Sequence, residues 1–459
     1  MQLPYTDTLF GKKSIMKIKN LRLTNFRCFS SLDIQFEPQL TVLVAPNGGG
    51  KSTLLDAVAI GLGPFLSRLP NGSGINPKHT DFRVLPDGRK PSLMRIELET
   101  YDGILWDRNM RGNKSEDIKK LVKGKGFTEL NKYVDTLVQR LYDGQHPMFP
   151  VIIYYGTGRG VFDTPQRRGD FKKDFTEIDS YRHALDAKTN FRQFFNYFYF
   201  LEDLERREKE KRRDWDYQQP ELMVIREAIS RMMPEFSNPK SALRPLRFLV
   251  DWKRNSTIPL SIQQLSDGYR TTLAMVMDIT ARMAGANPAA EKILDTEGIV
   301  LIDEIDLHLH PKWQQTILPD LMKTFPKLQF IVSTHSPQVL STVPSDCIRL
   351  INDERDPETG LQKFVVEKPL TQSRGRASAD VMAELMDVDP VPEVEEARWL
   401  SNYKALIQQN LHETEEGKSL HHRLERHFCL QHKEMLECDR LIRLAKMKAK
   451  FSTSNNVEE

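Results

Sequence analysis

The sequence predicts an α/β fold: a mixed β sheet with flanking helices, carrying a helical insertion and a helical C-terminal appendage. Three observations predict it. Apolar runs of strand length recur at LTVLVA, VIIYYG, GIVLID and QFIVST, and near-continuous apolar runs mark parallel strands buried on both faces. A glycine-rich turn, APNGGGKS at 45–52, joins the first run to a helical stretch, STLLDAVAIGL. Long charged stretches of helical period lie between and after the strands.

Taken in order, residues 15–45 alternate apolar and polar positions and predict antiparallel strands leading into one buried strand. LMRIELETYDGILWDRNM (93–110) predicts a hairpin turning at Asp102-Gly103. VIIYYG (151–156) closes a first lobe, expected over 1–158. Residues 159–246 are expected to be a helical insertion, carried by FRQFFNYFYFLEDLERREKEKRRDWDY and ELMVIREAISRMM. Its stretch 202–214 holds six acids and six bases, which predicts a solvated helix laced with ion pairs four residues apart; a DNA-contacting arm is the alternative. β signals return at RFLVDW and PLSIQQL, opening a second lobe over 247–372 that ends in a hairpin of CIRLIND and KFVVEK. The remainder, 373–459, is expected to be helical.

Composition narrows the classes. With 66 bases, 63 acids and a net charge of +3 over 459 residues, charge alone implies no polyanionic partner. Charged residues at 28% and apolar ones at 39% fit a folded soluble chain. No apolar run reaches membrane-span length and the N-terminal stretch has no secretory pattern, so a cytoplasmic location is expected. The four cysteines, Cys28, Cys347, Cys429 and Cys438, are too scattered for a disulfide framework.

Four motifs carry chemistry. In the turn at 45–52, Asn47, Gly48, Gly49 and Gly50 would turn backbone N–H groups around phosphates. Lys51 would reach the β- and γ-phosphates of ATP, Ser52 would ligate Mg²⁺, and Thr53 opens the helix beside them. The strict pattern has Gly where this chain has Ala45. In GIVLIDEIDLHLHP (298–311), a buried strand delivers carboxylates at its C-terminal end: Asp303 would hold Mg²⁺ through a water, and Glu304 would deprotonate the attacking water. In FIVSTHSP (330–337), His335 could donate a hydrogen bond to the γ-phosphate, or be structural. In LSDGYR (265–270), Ser266 suits a helix N-cap and Gly268 allows close backbone approach.

In this order the motifs resemble an ABC-type ATPase head, of the branch shared by SMC, RecF and OLD proteins rather than the transporters; IKNLRLTNFRCFSSLDIQFEPQLTVLVAPNGGGKSTLLDAVA is similar to the same branch. The likeness covers roughly 15–158 and 247–350. It implies composite sites, in which two heads sandwich two ATP molecules and Ser266 and Gly268 of one face the γ-phosphate held by the other. It also implies that Asp306 sits at the dimer seam. Two departures stand out: Asp267 and Tyr269 replace the transporters' Gly and Gln, and the Q-loop glutamine is missing, because VIIYYG continues as Gly-Thr-Gly-Arg. Arg159 is a candidate for a phosphate or sensing role there, or a surface arginine.

Within the branch, YYGTGRG, YRHAL and NFRQFFNYFYFLEDLE resemble the ATPases of bacterial anti-phage systems, the Septu ATPases first and the PARIS ATPases second. That resemblance implies a regulatory ATPase, homodimeric or of higher order, working with a separate nuclease (HNH-type in the Septu case), with nucleic acid reached through the complex and no membrane involved. A RecF- or SMC-like DNA-binding repair ATPase and a self-contained OLD-type nuclease remain the alternatives. For the latter, Asp387 and Asp389 supply a metal-like spacing, on what reads as a helix. His412, His421, His422, His427 and His432 with Cys429 and Cys438 lack paired zinc-knuckle spacing and read as solvated helix. LECDRLIRLAKMKAKF (436–451) offers Leu436, Leu441, Leu444 and Met447 as a docking or packing face, with Arg440, Arg443, Lys446, Lys448 and Lys450 as a third, nucleic-acid option.

Overall fold

A computed structural model describes residues 16–85, 87–112, 124–160, 175–187, 191–243, 246–253, 259–355 and 362–455. The first fifteen residues of the expected ATPase lobe and 161–174 of the expected insertion lie outside the described residues. The chain forms two compact units, Met1–Val381 and Met382–Glu459. Both expected lobes and the insertion therefore belong to one unit, and the second unit begins later than the expected 373.

In the first unit, β1 (Ile18–Phe26) and β2 (Phe29–Gln35) alternate buried and exposed residues, as antiparallel strands wetted on one face do. They join β4 (Leu93–Thr100) and β5 (Leu105–Arg111) in a four-stranded antiparallel sheet of order β2-β1-β4-β5. The β4–β5 hairpin turns at Asp102-Gly103, where Gly103 takes a φ of 84°.

The second sheet has six strands in the order β13-β12-β3-β11-β10-β6. Its members are β3 (Leu40–Val44), β6 (Val151–Tyr155), β10 (Gly298–Ile302), β11 (Leu328–Ser333), β12 (Ile348–Arg355) and β13 (Gln362–Glu367). β3, β6, β10 and β11 are buried at every position, which is why their sequences read as unbroken apolar runs. All neighbours in this sheet run parallel except β13, which pairs antiparallel with β12. The carboxyl ends of β3, β6, β10 and β11 therefore gather along one edge. Gln329 in β11 stitches the two sheets: its Oε1 accepts the Ile18 N–H at 2.8 Å and its Nε2 donates to the Ile18 carbonyl at 2.7 Å.

Helix α1 (Lys51–Arg68) follows β3 and contains Pro64, which has no N–H for the Ile60 carbonyl. Arg108 supplies the missing donor at 3.1 Å, and Trp106 Nε1 bonds the Gly61 carbonyl at 2.7 Å. Helix α2 is Thr128–Tyr142, α3 is Arg192–Arg212 and α4 is Pro220–Met232. The apolar start of α3 packs Phe194, Phe195 and Phe198 around Phe248, with ring centroids 5.0–5.8 Å apart. Its charged end carries the expected pairs four residues apart: Arg207–Asp203, Lys209–Glu205 and Arg212–Glu208.

The insertion is not wholly helical. Phe236–Leu243 forms β7, which pairs antiparallel with β8 (Leu246–Trp252) and, through it, β9 (Leu260–Ser261). FSNPKSAL hides its strand because Pro239 sits in a register break between Ser237 and Lys240, and Asn238 takes a φ of 50°. Helix α5 (Asp267–Ala286) leads to β10, and α6 (Ile317–Thr324) precedes β11. Helix α7 is Ser378–Leu385.

The second unit is built on α8 (Glu395–Gln408), α9 (Glu415–Phe428) and α10 (Lys433–Asn455). Its core is Tyr403, Ile407, Leu424, Met435 and Cys438. Among the described residues no helix is long and apolar enough to cross a membrane.

Candidate functional site

The turn between β3 and α1 is shaped by its glycines. Gly50 has a φ of 88°, and a Cβ there would stand 2.4 Å from the Phe29 ring, so both conformation and space demand glycine. Gly48 is also left-handed, at 79°. Asn47 and Gly48 are exposed, Gly49, Gly50 and Thr53 half-buried, and Ser52 exposed. Ala45, in place of the usual glycine, is buried, and its carbonyl accepts the Lys51 ammonium at 2.8 Å; the Pro46 carbonyl accepts it at 3.2 Å. Burial pushes the Lys51 pKa down, and the charges of Asp303, Glu304 and Asp306 pull it up.

Those acids follow β10. Asp303 is 3% exposed; its N–H bonds the Tyr155 carbonyl at 2.8 Å and its Oδ1 accepts the Ser333 hydroxyl at 2.5 Å. The same Ser333 oxygen accepts the Glu304 N–H at 2.7 Å. Glu304 is half-buried with a φ of 49°, a left-handed conformation uncommon outside glycine. Asp306 Oδ1 accepts the Thr334 hydroxyl at 2.6 Å and the His335 N–H at 3.4 Å. Burial lowers the pKa of the half-buried His335, the charge on Lys51 lowers it further, and Asp306, Glu304 and Asp303 oppose both.

Lys51, Asp303, Glu304, Asp306 and His335 thus share one electrostatic neighbourhood at the carboxyl edge, where ligands of open α/β sheets bind. The donor set fits what the motifs ask for. Ser52 hydroxyl and Asp303 carboxylate are hard oxygen donors suited to Mg²⁺, and the left-handed glycines turn the main chain at the start of α1, where phosphate is favoured.

Ser266 and Gly268 lie at the start of α5. Ser266 holds the N-cap position, but its hydroxyl makes no capping bond and the residue is exposed. A Cβ on Gly268 would stand 2.5 Å from the His308 carbonyl, so glycine is needed for close packing on the segment after β10. Tyr269 packs edge-on to Trp313 at 4.3 Å and to Phe236 at 5.2 Å.

Two residues carry more than the motifs announced. Ser333 joins Asp303 to Glu304; its signal was a serine ending an apolar strand. Arg159 is no surface residue: it is 2% exposed, Nη1 donates to the Asp303 carbonyl at 2.5 Å and to the Gly156 carbonyl at 3.2 Å, and Nη2 donates to the Glu304 carbonyl at 2.5 Å. Behind them, Asp278 of α5 accepts Tyr155 Oη at 2.7 Å and Arg282 Nε at 2.9 Å, fastening α5 to β6.

In the second unit, Asp387 and Asp389 fall in the loop after α7, not on a helix; Asp387 has a φ of 53° and Asp389 Oδ1 accepts the Val391 N–H at 2.8 Å. Among the described residues no group of three or more His, Cys, Asp or Glu could hold a metal ion. His421 packs edge-on to Tyr403 and His432 stacks on Phe428. Leu436, Leu444 and Met447 are exposed, whereas Leu441 packs against the helical core. The side chains of Lys448 and Lys450 lie outside the described residues.

A family model described as an AAA domain matches residues 20–236, and a second AAA-domain model matches 160–341. The "Septu protein PtuA" of Bacillus mycoides (strain KBAB4) is 43% identical over 97 residues, covering 21% of this chain and 13% of that protein. The head of an SMC protein bound to the C-winged helix domain of ScpA covers 77% of this chain and 98% of its own, at 15% identity and a TM-score of 0.41. The "Retron Vc95 probable ATPase" of Vibrio cholerae serotype O1 biovar El Tor is 29% identical over 467 residues, covering 88% of this chain and 87% of the relative. The "Retron Ec83 probable ATPase" of Escherichia coli is 31% identical over 479 residues, covering 90% of this chain and 84% of the relative. A likeness at that level, through nearly all of both proteins, places the chain in one family with the retron Ec83 ATPase, as a P-loop ATPase of the ABC type.

Proposed function

We propose that this ATPase is the regulatory subunit of a bacterial anti-phage defence complex, in which two heads close over two ATP molecules and the closed pair controls a separate nuclease. The observation that carries the reading is a division of labour within one chain. Lys51, Asp303, Glu304 and His335 cluster at the sheet edge, while Ser266 is exposed at the start of α5 and Gly268 packs on His308. In this reading the exposed Ser266 faces the nucleotide of a second head. The retron ATPases and the Septu protein among the relatives support the defence role.

In this reading the N–H groups of Asn47 to Gly50 and the Lys51 ammonium hold the phosphates of ATP, with Thr53 beside them at the head of α1. Ser52 and Asp303 would hold Mg²⁺, which neutralises charge on the β- and γ-phosphates when bound. Glu304 takes the proton of the attacking water, and His335 donates a hydrogen bond to the γ-phosphate.

The test is sedimentation with ATP in a Glu304→Gln background, which slows hydrolysis. The chain is expected to dimerise, and adding Ser266→Arg is expected to abolish the dimer while the head still binds ATP. Mixing Ser266→Arg with Lys51→Ala chains should recover at most one working site. Normal ATP-dependent dimers of Ser266→Arg would overturn the composite site, and DNA cleavage by the purified chain alone would favour the OLD-type reading.

A further inference from the structure

The Asp303-Glu304 backbone is held at every polar group, in part by side chains. The Asp303 N–H bonds the Tyr155 carbonyl at 2.8 Å, and the Glu304 N–H bonds Ser333 Oγ at 2.7 Å. The Asp303 carbonyl takes Arg159 Nη1 at 2.5 Å; the Glu304 carbonyl takes Arg159 Nη2 at 2.5 Å and the Leu307 N–H at 2.9 Å. Every main-chain polar group of the pair is therefore satisfied. Such holding has a physical reason. Glu304 stands at a φ of 49°, a conformation that persists in a non-glycine residue only when its surroundings over-determine it. Of the groups that do so, two are side chains: Ser333 from β11 and Arg159 from the turn after β6.

We propose that Arg159 is a positioning residue for hydrolysis, its guanidinium fork clamping the successive carbonyls of Asp303 and Glu304 so that the Glu304 carboxylate is held toward the attacking water. The inference rests on Glu304 being the base. A phosphate-binding role suits Arg159 poorly, because the guanidinium is buried and spent on three carbonyls, those of Gly156, Asp303 and Glu304. Lysine is a poor replacement: its flexible ammonium is a point charge without the rigid planar fork that fixes two successive carbonyls at once. The turn that lacks a Q-loop glutamine thus reaches the acid pair through its main chain.

The test uses the full chain as Arg159→Lys, Glu304→Gln and the double variant, with ATP turnover, binding of a fluorescent ATP analogue and melting temperature read in parallel. Arg159→Lys is expected to lower kcat about 10–100-fold, as misplacement of a catalytic group does, with nucleotide affinity changed no more than about twofold. In the Glu304→Gln background the same change is expected to cost less than about twofold, since no base remains to be positioned. If Arg159→Lys does not fold, Arg159→Gln, which keeps a donor for one carbonyl, reads the same split. Equal cost in both backgrounds would show a merely structural arginine, and lost affinity at unchanged kcat would show a phosphate ligand; either overturns the proposal. Wild-type turnover by Glu304→Gln would instead sink the assignment of the base itself.

Discussion

At the carboxyl edge of the parallel sheet, charges are buried and shared among several partners; in the C-terminal helices several of the described ion pairs are largely exposed. Asp303, Lys51 and Arg159 are all buried, and Ser333 and Arg159 each touch both members of the acid pair. The pairs Arg440–Glu437 and Lys446–Glu413 stand largely in water, where an ion pair contributes little. The difference teaches where a substitution will be felt. A buried polar network fails as a unit, because each group left behind is costly, whereas the helical unit depends on a small apolar core.

The largest effect is expected from Glu304→Gln, which should keep ATP affinity and slow hydrolysis about 10²–10⁴-fold, the usual contribution of a general base. Steady-state turnover against equilibrium ATP binding checks it, and a variant hydrolysing at the wild-type rate would break the assignment. Next comes Leu424→Ala in the other region. Leu424 is fully buried in the core of α8, α9 and α10, and its truncation should cost that unit about 2–5 kcal/mol. Hydrogen exchange over 395–455 should rise while ATP turnover stays within about twofold, since the P-loop, acid pair and His335 all lie in the first unit. A parallel collapse of turnover would show that the two regions are coupled.

Legibility in the sequence follows the same division. The parallel strands could be read because burial on both faces forces unbroken apolar runs, and the hairpin at 93–111 because Asp102-Gly103 announces its turn. β7 could not, since its pairing with β8 depends on a register break around Asn238 and Pro239 that local pattern disguises. Phosphate-loop and acid-pair positions carried recognisable spacing. Arg159 and Ser333 carried none: they meet the acid pair only because β6 and β11 flank β10, across 144 and 30 positions of chain. Contacts made by neighbouring strands are a property of topology, and a linear motif does not hold them.

The smallest effect expected concerns His335 and pH. Its imidazole is half-buried beside Lys51, and both burial and that charge lower its pKa from the usual 6.5. The folded chain therefore binds fewer protons at this position than the unfolded chain does. The resulting stability is complete above about pH 6.5 and is lost as pH falls through the lowered folded value. His335→Gln, neutral at every pH, removes this dependence. The melting temperature of wild type minus that of the variant should be flat above about pH 6.5 and decline below it, by less than about 1 kcal/mol in stability because water screens a half-exposed group. A difference that grows on acidification would mean that the carboxylates of Asp303, Glu304 and Asp306 outweigh burial and Lys51, reversing the sign of the shift.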